Sequence, residues 1–281
     1  MAQIIQWFPG HMAKAFRLMG ENLKLVDIVF ELIDARVPAS SRNPEVDKLV
    51  AAKPRLLIMT KADLADPEQT RLWKAHYQKL GYQVLVLDTR NHKTPQLVTK
   101  AAQAALADQI QKQADKGIHN QPIRAMITGI PNVGKSTLLN HLVMKNVAPT
   151  ANRPGVTKKI AWLKTPTHLE LLDSPGVLWP KFEDQTVGLK LALTGAVKDT
   201  IFAKDDAALF MIKFFRDFRP QAILDRYHLA ENAFDQSDVD LLLDITARLG
   251  FKDDYDKAAE RMLNDLRSGK LGTYTLDRLD D

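Results

Sequence analysis

Residues 129–136 read Gly-Ile-Pro-Asn-Val-Gly-Lys-Ser, two glycines separated by four residues and followed by Lys-Ser. This pattern constrains the chain more than any other, because a phosphate loop needs a strand leading in and a helix leading out. Both are legible. Residues 123–127 are an apolar run, and Thr137-Leu-Leu-Asn-His-Leu142 begins a helical pattern. The glycines let the backbone turn its N–H groups toward phosphate oxygens, at the positive end of the helix dipole. In that geometry Lys135 reaches the β and γ phosphates and Ser136 offers its hydroxyl to Mg²⁺.

Alternating strand and helix signals surround the loop. Residues 12–25 read as a helix with basic positions at Lys14, Arg17 and Lys24, and 26–34 as a strand ending in Asp34-Ala-Arg36-Val-Pro38. Residues 55–59 form a short apolar strand of the kind buried in a parallel sheet. Asp66-Pro67 opens a helix to about residue 80, a cap followed by proline at the first position. Residues 83–88 read as a strand and 94–115 as one long helix. Two strands, 160–164 and 168–173, flank a turn at 165–167, and 144–159 reads as a loop. From about residue 181 only helical periodicity remains, over 188–198, 207–217, 238–249 and 254–266, with Pro180 and Pro220 read as breakers. The expected fold is α/β, a three-layer domain with a mostly parallel sheet over 1–180, followed by a small all-helical domain over 181–281.

The 281 residues include no cysteine, which excludes disulfides and thiolate metal sites. No apolar run reaches the length of a spanning helix, and the N-terminus has no secretory pattern, so a cytoplasmic protein is expected, with no membrane partner. The formal charge of +5 conceals an asymmetry. Residues 1–160 hold 23 Lys/Arg against 12 Asp/Glu, whereas 161–281 hold 16 against 22. The basic part exceeds what a nucleotide alone requires and points to nucleic acid.

Asp173-Ser-Pro-Gly176 closes an apolar strand after the phosphate loop. An aspartate there can hold Mg²⁺ and a glycine N–H can meet the γ-phosphate. Between the two elements, Thr157 in Arg153-Pro-Gly-Val-Thr157 could close onto Mg²⁺ when triphosphate binds, although a solvated loop hydroxyl is an equally ordinary reading. Upstream of the loop stands Thr60-Lys61-Ala62-Asp63 at a strand end. A carboxylate at Asp63 can accept two hydrogen bonds from the N1–H and N2–H₂ edge of guanine, a donor pair that adenine lacks. Lys61 could lay its stem over the base. The next strand ends in Asp88-Thr89-Arg90, where a second base-side loop is expected but no specific contact is assigned. The parts thus run base, base, phosphate, switch, switch, the order that results when a phosphate-first GTPase is circularly permuted.

With Gln6-Trp7-Phe8-Pro9-Gly10-His11-Met12-Ala13-Lys14, Asp34-Ala-Arg-Val-Pro38, Ser41-Arg-Asn-Pro44 and Leu172-Asp-Ser-Pro-Gly-Val-Leu-Trp-Pro-Lys-Phe182, these elements resemble the circularly permuted GTPases of the ribosome biogenesis GTPase A family over nearly the whole chain. The resemblance implies a GTPase acting in late assembly of the large ribosomal subunit and stimulated by it. It also implies a helical domain that helps to contact ribosomal RNA; no DNA partner is expected. Asn132, Val133, Gly134, Lys135, Ser136, Thr137 and Gly176 would line the phosphates of GTP or GDP. Thr60, Lys61 and Asp63 would hold guanine, and Ser136, Thr157 and Asp173 would hold Mg²⁺. By the same resemblance Asn132 would hold K⁺. Thr60 stands where the family usually has Asn, which implies weaker base contacts.

Many GTPases orient the attacking water with a glutamine after the switch glycine, but here the residues are Val177 and Leu178. Weak intrinsic hydrolysis, or a catalytic group from elsewhere, is therefore expected. By resemblance that group is His11, with Lys135 and Thr157 also catalytic; from sequence alone the favoured reading is that Trp7 and Phe8 staple the chain to the sheet while His11 starts a helix. The basic residues Lys190, Lys198, Lys213, Arg216 and Arg219 are candidates for an RNA-facing surface, although residues 220–281 carry 8 Lys/Arg against 14 Asp/Glu. Two other readings stand beside the leading one: a P-loop ATPase or kinase, which Asp63 disfavours, and an RNA-binding assembly factor with little turnover.

Overall fold

The computed structural model describes residues 5–88, 93–145 and 161–279. Helix α1 (Gly10–Asn22) and a 3₁₀ turn (Leu23–Leu25) lead into β1 (Ile28–Asp34), α2 (Pro44–Leu49), β2 (Arg55–Thr60), α3 (Pro67–Lys79) and β3 (Gln83–Val86). Then come α4 (Thr94–Ala105), α5 (Ala107–Ala114), β4 (Ile123–Gly129), α6 (Lys135–Val143), β5 (Ala161–Lys164) and β6 (Leu169–Asp173). The rest is helical: α7 (Gln185–Leu193), α8 (Lys204–Phe218), α9 (Pro220–Tyr227), α10 (Asp238–Arg248) and α11 (Tyr255–Arg267).

The six strands form one sheet in the order β3-β2-β1-β4-β6-β5. Every neighbouring pair is parallel except β5 with β6. Alternation along β2 explains the layers. Leu56 and Ile58 point into the large core, whereas Leu57 and Met59 point to the other face, against Trp73 and Tyr77 of α3. β1 is buried along its whole length, so apolar residues occupy both faces and its sequence does not alternate, with Glu31 and Asp34 buried as well. The strands that lead into the expected base-side loops, β2 and β3, precede β4 in the chain and are separated from it in the sheet by β1, the arrangement expected of a circular permutation.

Several elements depart from expectation. The first helix starts at Gly10. The long helix over 94–115 is two helices, because Leu106 leaves helical geometry (φ −111°, ψ 15°) with its side chain buried in the core. The strand over 83–88 ends at Val86, and the strand over 168–173 starts at Leu169. Helix α7 starts at Gln185 and stops at Leu193, short of 198, where Gly195 turns the chain with φ +79°. Pro220 separates two helices: α8 stops at Phe218, and the proline opens α9, where a missing N–H costs nothing. Helix α2 is too short to show periodicity; Asn43 caps it, accepting from the N–H groups of Glu45 and Val46, with Pro44 in its first turn.

The chain end returns to the sheet. Tyr274 N–H donates to the Leu64 carbonyl (3.1 Å) and Leu276 N–H to that of Arg36 (2.7 Å). The Trp73 indole N–H donates to the Asp277 carbonyl (2.8 Å). The Asp277 carboxylate accepts from Ser40 N–H and Oγ–H and from Lys190. Apolar residues of α8 and α11 share one buried cluster with β1 and β4. Among the described residues no helix is long and apolar enough to cross a membrane.

Candidate nucleotide site

Strand β4 delivers the phosphate loop at its C-terminal end. Gly129 sits at φ +153°, and a Cβ there would lie 2.6 Å from the Leu32 carbonyl oxygen of β1. Only glycine lets the two strand ends lie this close. Asn132 (φ +56°) and Gly134 (φ +106°) are also left-handed, so the backbone wraps into a concavity before α6 begins at Lys135. Val133 is buried, and Ser136 and Thr137 are half-buried in the first turn of α6. Lys135 folds back over the loop, its ammonium donating to the carbonyls of Gly129 (3.3 Å) and Ile130 (3.1 Å). Burial pulls this ammonium down to about 8, against the pull of Asp173.

Strand β6 brings Asp173 to the same edge. Ser174 Oγ–H donates to the Ile127 carbonyl (2.7 Å) and Val177 N–H to that of Gly129 (3.2 Å). These bonds press Gly176 onto the phosphate loop. A Cβ on Gly176 would lie 2.8 Å from Pro131 Cα and 3.0 Å from the Lys135 ammonium. Burial raises the Asp173 carboxyl to about 6, although Lys135 works against it. Its Oδ1 is buried and makes no hydrogen bond. An orphaned, buried carboxylate oxygen fits Mg²⁺, a hard cation that prefers oxygen donors and keeps waters between itself and the protein. Among the described residues no group of three or more His, Cys, Asp or Glu could hold a metal alone. Phosphate oxygens would have to complete the shell.

The base-side loop leaves β2 beside this loop. Thr60 is fully buried, and its Oγ lies 2.6 Å from the Val133 carbonyl and 3.0 Å from that of Ile33. One hydroxyl proton serves both acceptors. Thr60 therefore acts as a tie to the phosphate loop as well as a step in the base loop, a role its position in the sequence did not reveal. Lys61 (φ +55°) donates to the Asn132 carbonyl at 2.6 Å and pairs with Asp34 at 3.3 Å. Burial, with Arg36 close by, lowers its ammonium to about 8 in spite of Asp34 and Asp63. The Asp63 side chain is exposed at the mouth of the loop.

Asp34 and Arg36 were legible as a motif but carried no assigned role. They form a buried bidentate pair: Arg36 Nε donates to Oδ1 (2.9 Å) and Nη2 to Oδ2 (2.7 Å). Burial raises the Asp34 carboxyl, but Arg36 and Lys61 outweigh it and hold it down at about 2. Arg36 reaches further, to Tyr274 Oη (3.1 Å) and to the Thr194 carbonyl (3.3 Å). No local pattern could find these last two partners, which lie far along the chain.

His11 is exposed in the first turn of α1. Its neighbour Met12 is fully buried and accepts, through Sδ, the Leu178 N–H at 3.4 Å. The start of α1 thus packs on the segment following Gly176. Val177 and Leu178 are themselves fully buried, so neither presents a group that could orient water. Thr157, with 153–157, and Thr89 and Arg90 lie outside the described residues. Of the five basic residues named for an RNA-facing surface, four are engaged within the chain: Lys190 with Asp277 (3.0 Å), Arg216 with Asp238, Arg219 with Asp66 (3.0 Å), and Lys198 over the Trp7 ring (5.5 Å). Only Lys198 and Lys213 of the five are exposed.

Residues 124–247 match the family model described as "50S ribosome-binding GTPase". The chain is 46% identical to "Ribosome biogenesis GTPase A" of Priestia megaterium, over 97% of this chain and 96% of that protein. It is 45% identical to the protein of the same name in Bacillus cereus, over 98% of this chain and 94% of the relative. The fold is similar to that of "GNP-bound YlqF from T. maritima" (TM-score 0.66, 22% identity), covering 95% of this chain and 99% of the other.

Proposed function

We propose a cellular task for this chain, which belongs to the ribosome biogenesis GTPase A family of GTP-hydrolysing ribosome assembly factors: it acts in late maturation of the large ribosomal subunit. It binds the precursor particle and its RNA in the GTP state and leaves on hydrolysis, in the cytoplasm. In this reading Thr60, Lys61 and Asp63 hold guanine, and Asn132, Val133, Gly134, Lys135, Ser136, Thr137 and Gly176 surround the phosphates. Ser136, Asp173 and Thr157 hold Mg²⁺, which when bound supplies positive charge to the β- and γ-phosphate oxygens. K⁺ beside Asn132 would add charge where other GTPases use an arginine. Residues 1–180 carry the nucleotide, and 181–281 help to contact RNA. The exposed Lys14, Arg17 and Lys24 near α1 extend the basic surface.

The observation that carries the switch reading is the pairing of a buried Val177 with an exposed His11 one residue from Met12, which touches Leu178. The switch segment itself cannot orient water, so intrinsic turnover is slow. A partner that orders the N-terminal segment would place the His11 imidazole against the attacking water as orienter or base. The test is GTP turnover in K⁺ and Mg²⁺, with and without purified large subunits, for the native protein and His11→Ala. Stimulation that His11→Ala loses, with GTP affinity unchanged, supports partner and residue together. Unchanged stimulation in His11→Ala removes His11 from the mechanism. Tight GTP binding without any stimulation favours an assembly factor with little turnover.

A further inference from the structure

Helix α7 ends between the helical region and the nucleotide site, and its last carbonyls are met by side chains from three parts of the chain. Arg267, the final residue of α11, donates to the Leu193 carbonyl (3.1 Å) and the Ala192 carbonyl (2.7 Å). Asp199 grips the same guanidinium with both oxygens, at 2.7 and 3.0 Å. The next carbonyl, that of Thr194, accepts from Arg36 Nη2 (3.3 Å). The one after it, of Gly195, accepts from Asn132 Nδ2 (3.4 Å). A helix end must find partners for its orphan carbonyls. The Ala192 carbonyl also accepts the Gly195 N–H (3.0 Å), and Thr194 and Gly195 follow the helix; of the four carbonyls, two are met from the helical region itself, one from the exit of β1 and one from the phosphate loop. The fit is close: a Cβ on Gly195 would lie 3.0 Å from Asn132 Nδ2 and 3.5 Å from Arg267 Nε.

We propose that the C-terminal end of α7, clamped by Arg267, positions the nucleotide site, so that Arg267 and Gly195, which line one cavity with Lys61 and Asn132, set guanine-nucleotide affinity. Two routes run from this helix end. One is direct, through the Asn132 side chain to the phosphate loop. The other passes through Arg36 to Asp34, from Asp34 to Lys61, and from Lys61 back to the Asn132 carbonyl. Both converge on Asn132, the left-handed residue that shapes the loop concavity. Arg267 is a positioning residue. Because coupling between sites is reciprocal, a partner that shifts the helical region alters nucleotide affinity, and bound nucleotide biases how that region is held.

The experiment measures release of a fluorescent GDP analogue in Mg²⁺, together with thermal unfolding of each variant. Arg267→Ala is compared with Arg226→Ala, which breaks the pair of Arg226 with Asp265 of the same helix α11 (2.8 Å) but leaves the bonds of Arg267 in place. Arg267→Ala is expected to speed release roughly fivefold or more, while Arg226→Ala lowers Tm without this effect. In the Asn132→Ala background the Arg267→Ala effect is expected to shrink, since both act on one loop. Arg267→Lys keeps the charge but loses the two-carbonyl fork, and carries the same expectation if the alanine variant does not fold. Unchanged release with lowered Tm overturns the proposal. So does equal acceleration by Arg226→Ala, which signals general loosening, or full additivity with Asn132→Ala.

Discussion

The Lys61 ammonium donates to the main-chain carbonyl of Asn132 at 2.6 Å, joining the loop that leaves β2 to the loop that leaves β4. Thr60 makes a second tie one residue earlier, to Val133 at 2.6 Å. The base-side and phosphate-side loops are therefore one mechanical unit, although 71 residues separate Lys61 from Asn132 in the chain.

Thr60→Val keeps the shape of the side chain and removes its hydroxyl, leaving the buried Val133 and Ile33 carbonyls short of a donor. Stability is expected to fall by about 1–3 kcal/mol, with GDP bound roughly tenfold more weakly. Calorimetric titration and thermal melts check both. Unchanged GDP affinity would show that the tie is structural only.

Asp34 gives the fold an acid limit. Its carboxyl is held at about 2 in the folded protein against an ordinary value of 3.8. A lowered carboxylate stabilises the fold fully above the unfolded value, and this contribution fades as pH falls from 3.8 through about 2. The amount is about 2 kcal/mol. Asp34→Asn should remove that part of the acid dependence. It should also cost about 3–5 kcal/mol at neutral pH, because Arg36 is left buried without its counter-charge. Denaturant melts between pH 2 and 7 read both effects.

Asp173 works in the opposite sense. Burial raises its carboxyl to about 6, so in the protein without Mg²⁺ the charged form opposes folding at neutral pH. Asp173→Asn is expected to stabilise the nucleotide-free protein by about 1–3 kcal/mol. The same change should raise the Mg²⁺ concentration needed for half-maximal turnover. A variant that is less stable and has unchanged Mg²⁺ dependence would contradict the assignment.

Gly176→Ala puts a methyl 2.8 Å from Pro131 Cα, against backbone rather than a movable side chain. The segment after β6 must retreat from the phosphate loop. Turnover should fall about 100-fold or more, and Tm should drop as well, because Val177 and Leu178 in the displaced segment are buried in the core. Single-turnover kinetics alongside melting curves test this.

The phosphate loop, the strands β1, β2 and β4 and the permuted order were legible because each rests on residues adjacent in the chain. A glycine pattern fixes a turn, an apolar run fixes a buried strand, and both are local statements. Boundaries suffered where a single residue decides them, as at Leu106, whose buried side chain divides a helix that periodicity reads as continuous. Helix α2 was hidden because six residues cannot establish a period, although Asn43-Pro44 signals a cap. Thr60 stood out only as a departure from Asn; its bonds to Val133 and Ile33 required strands brought side by side.

The sequence by itself determined the chemistry offered to a nucleotide: two left-permitting glycines, a lysine, a serine, and an exposed aspartate after β2. Tertiary structure decided how these parts are held. The Asp34–Arg36 pair, the return of Tyr274 to Arg36 and the α7 carbonyls against Asn132 join residues between 2 and 238 positions apart. Such contacts leave no periodic or compositional trace, because a hydrogen bond depends on where two chain segments meet and not on the residues beside them.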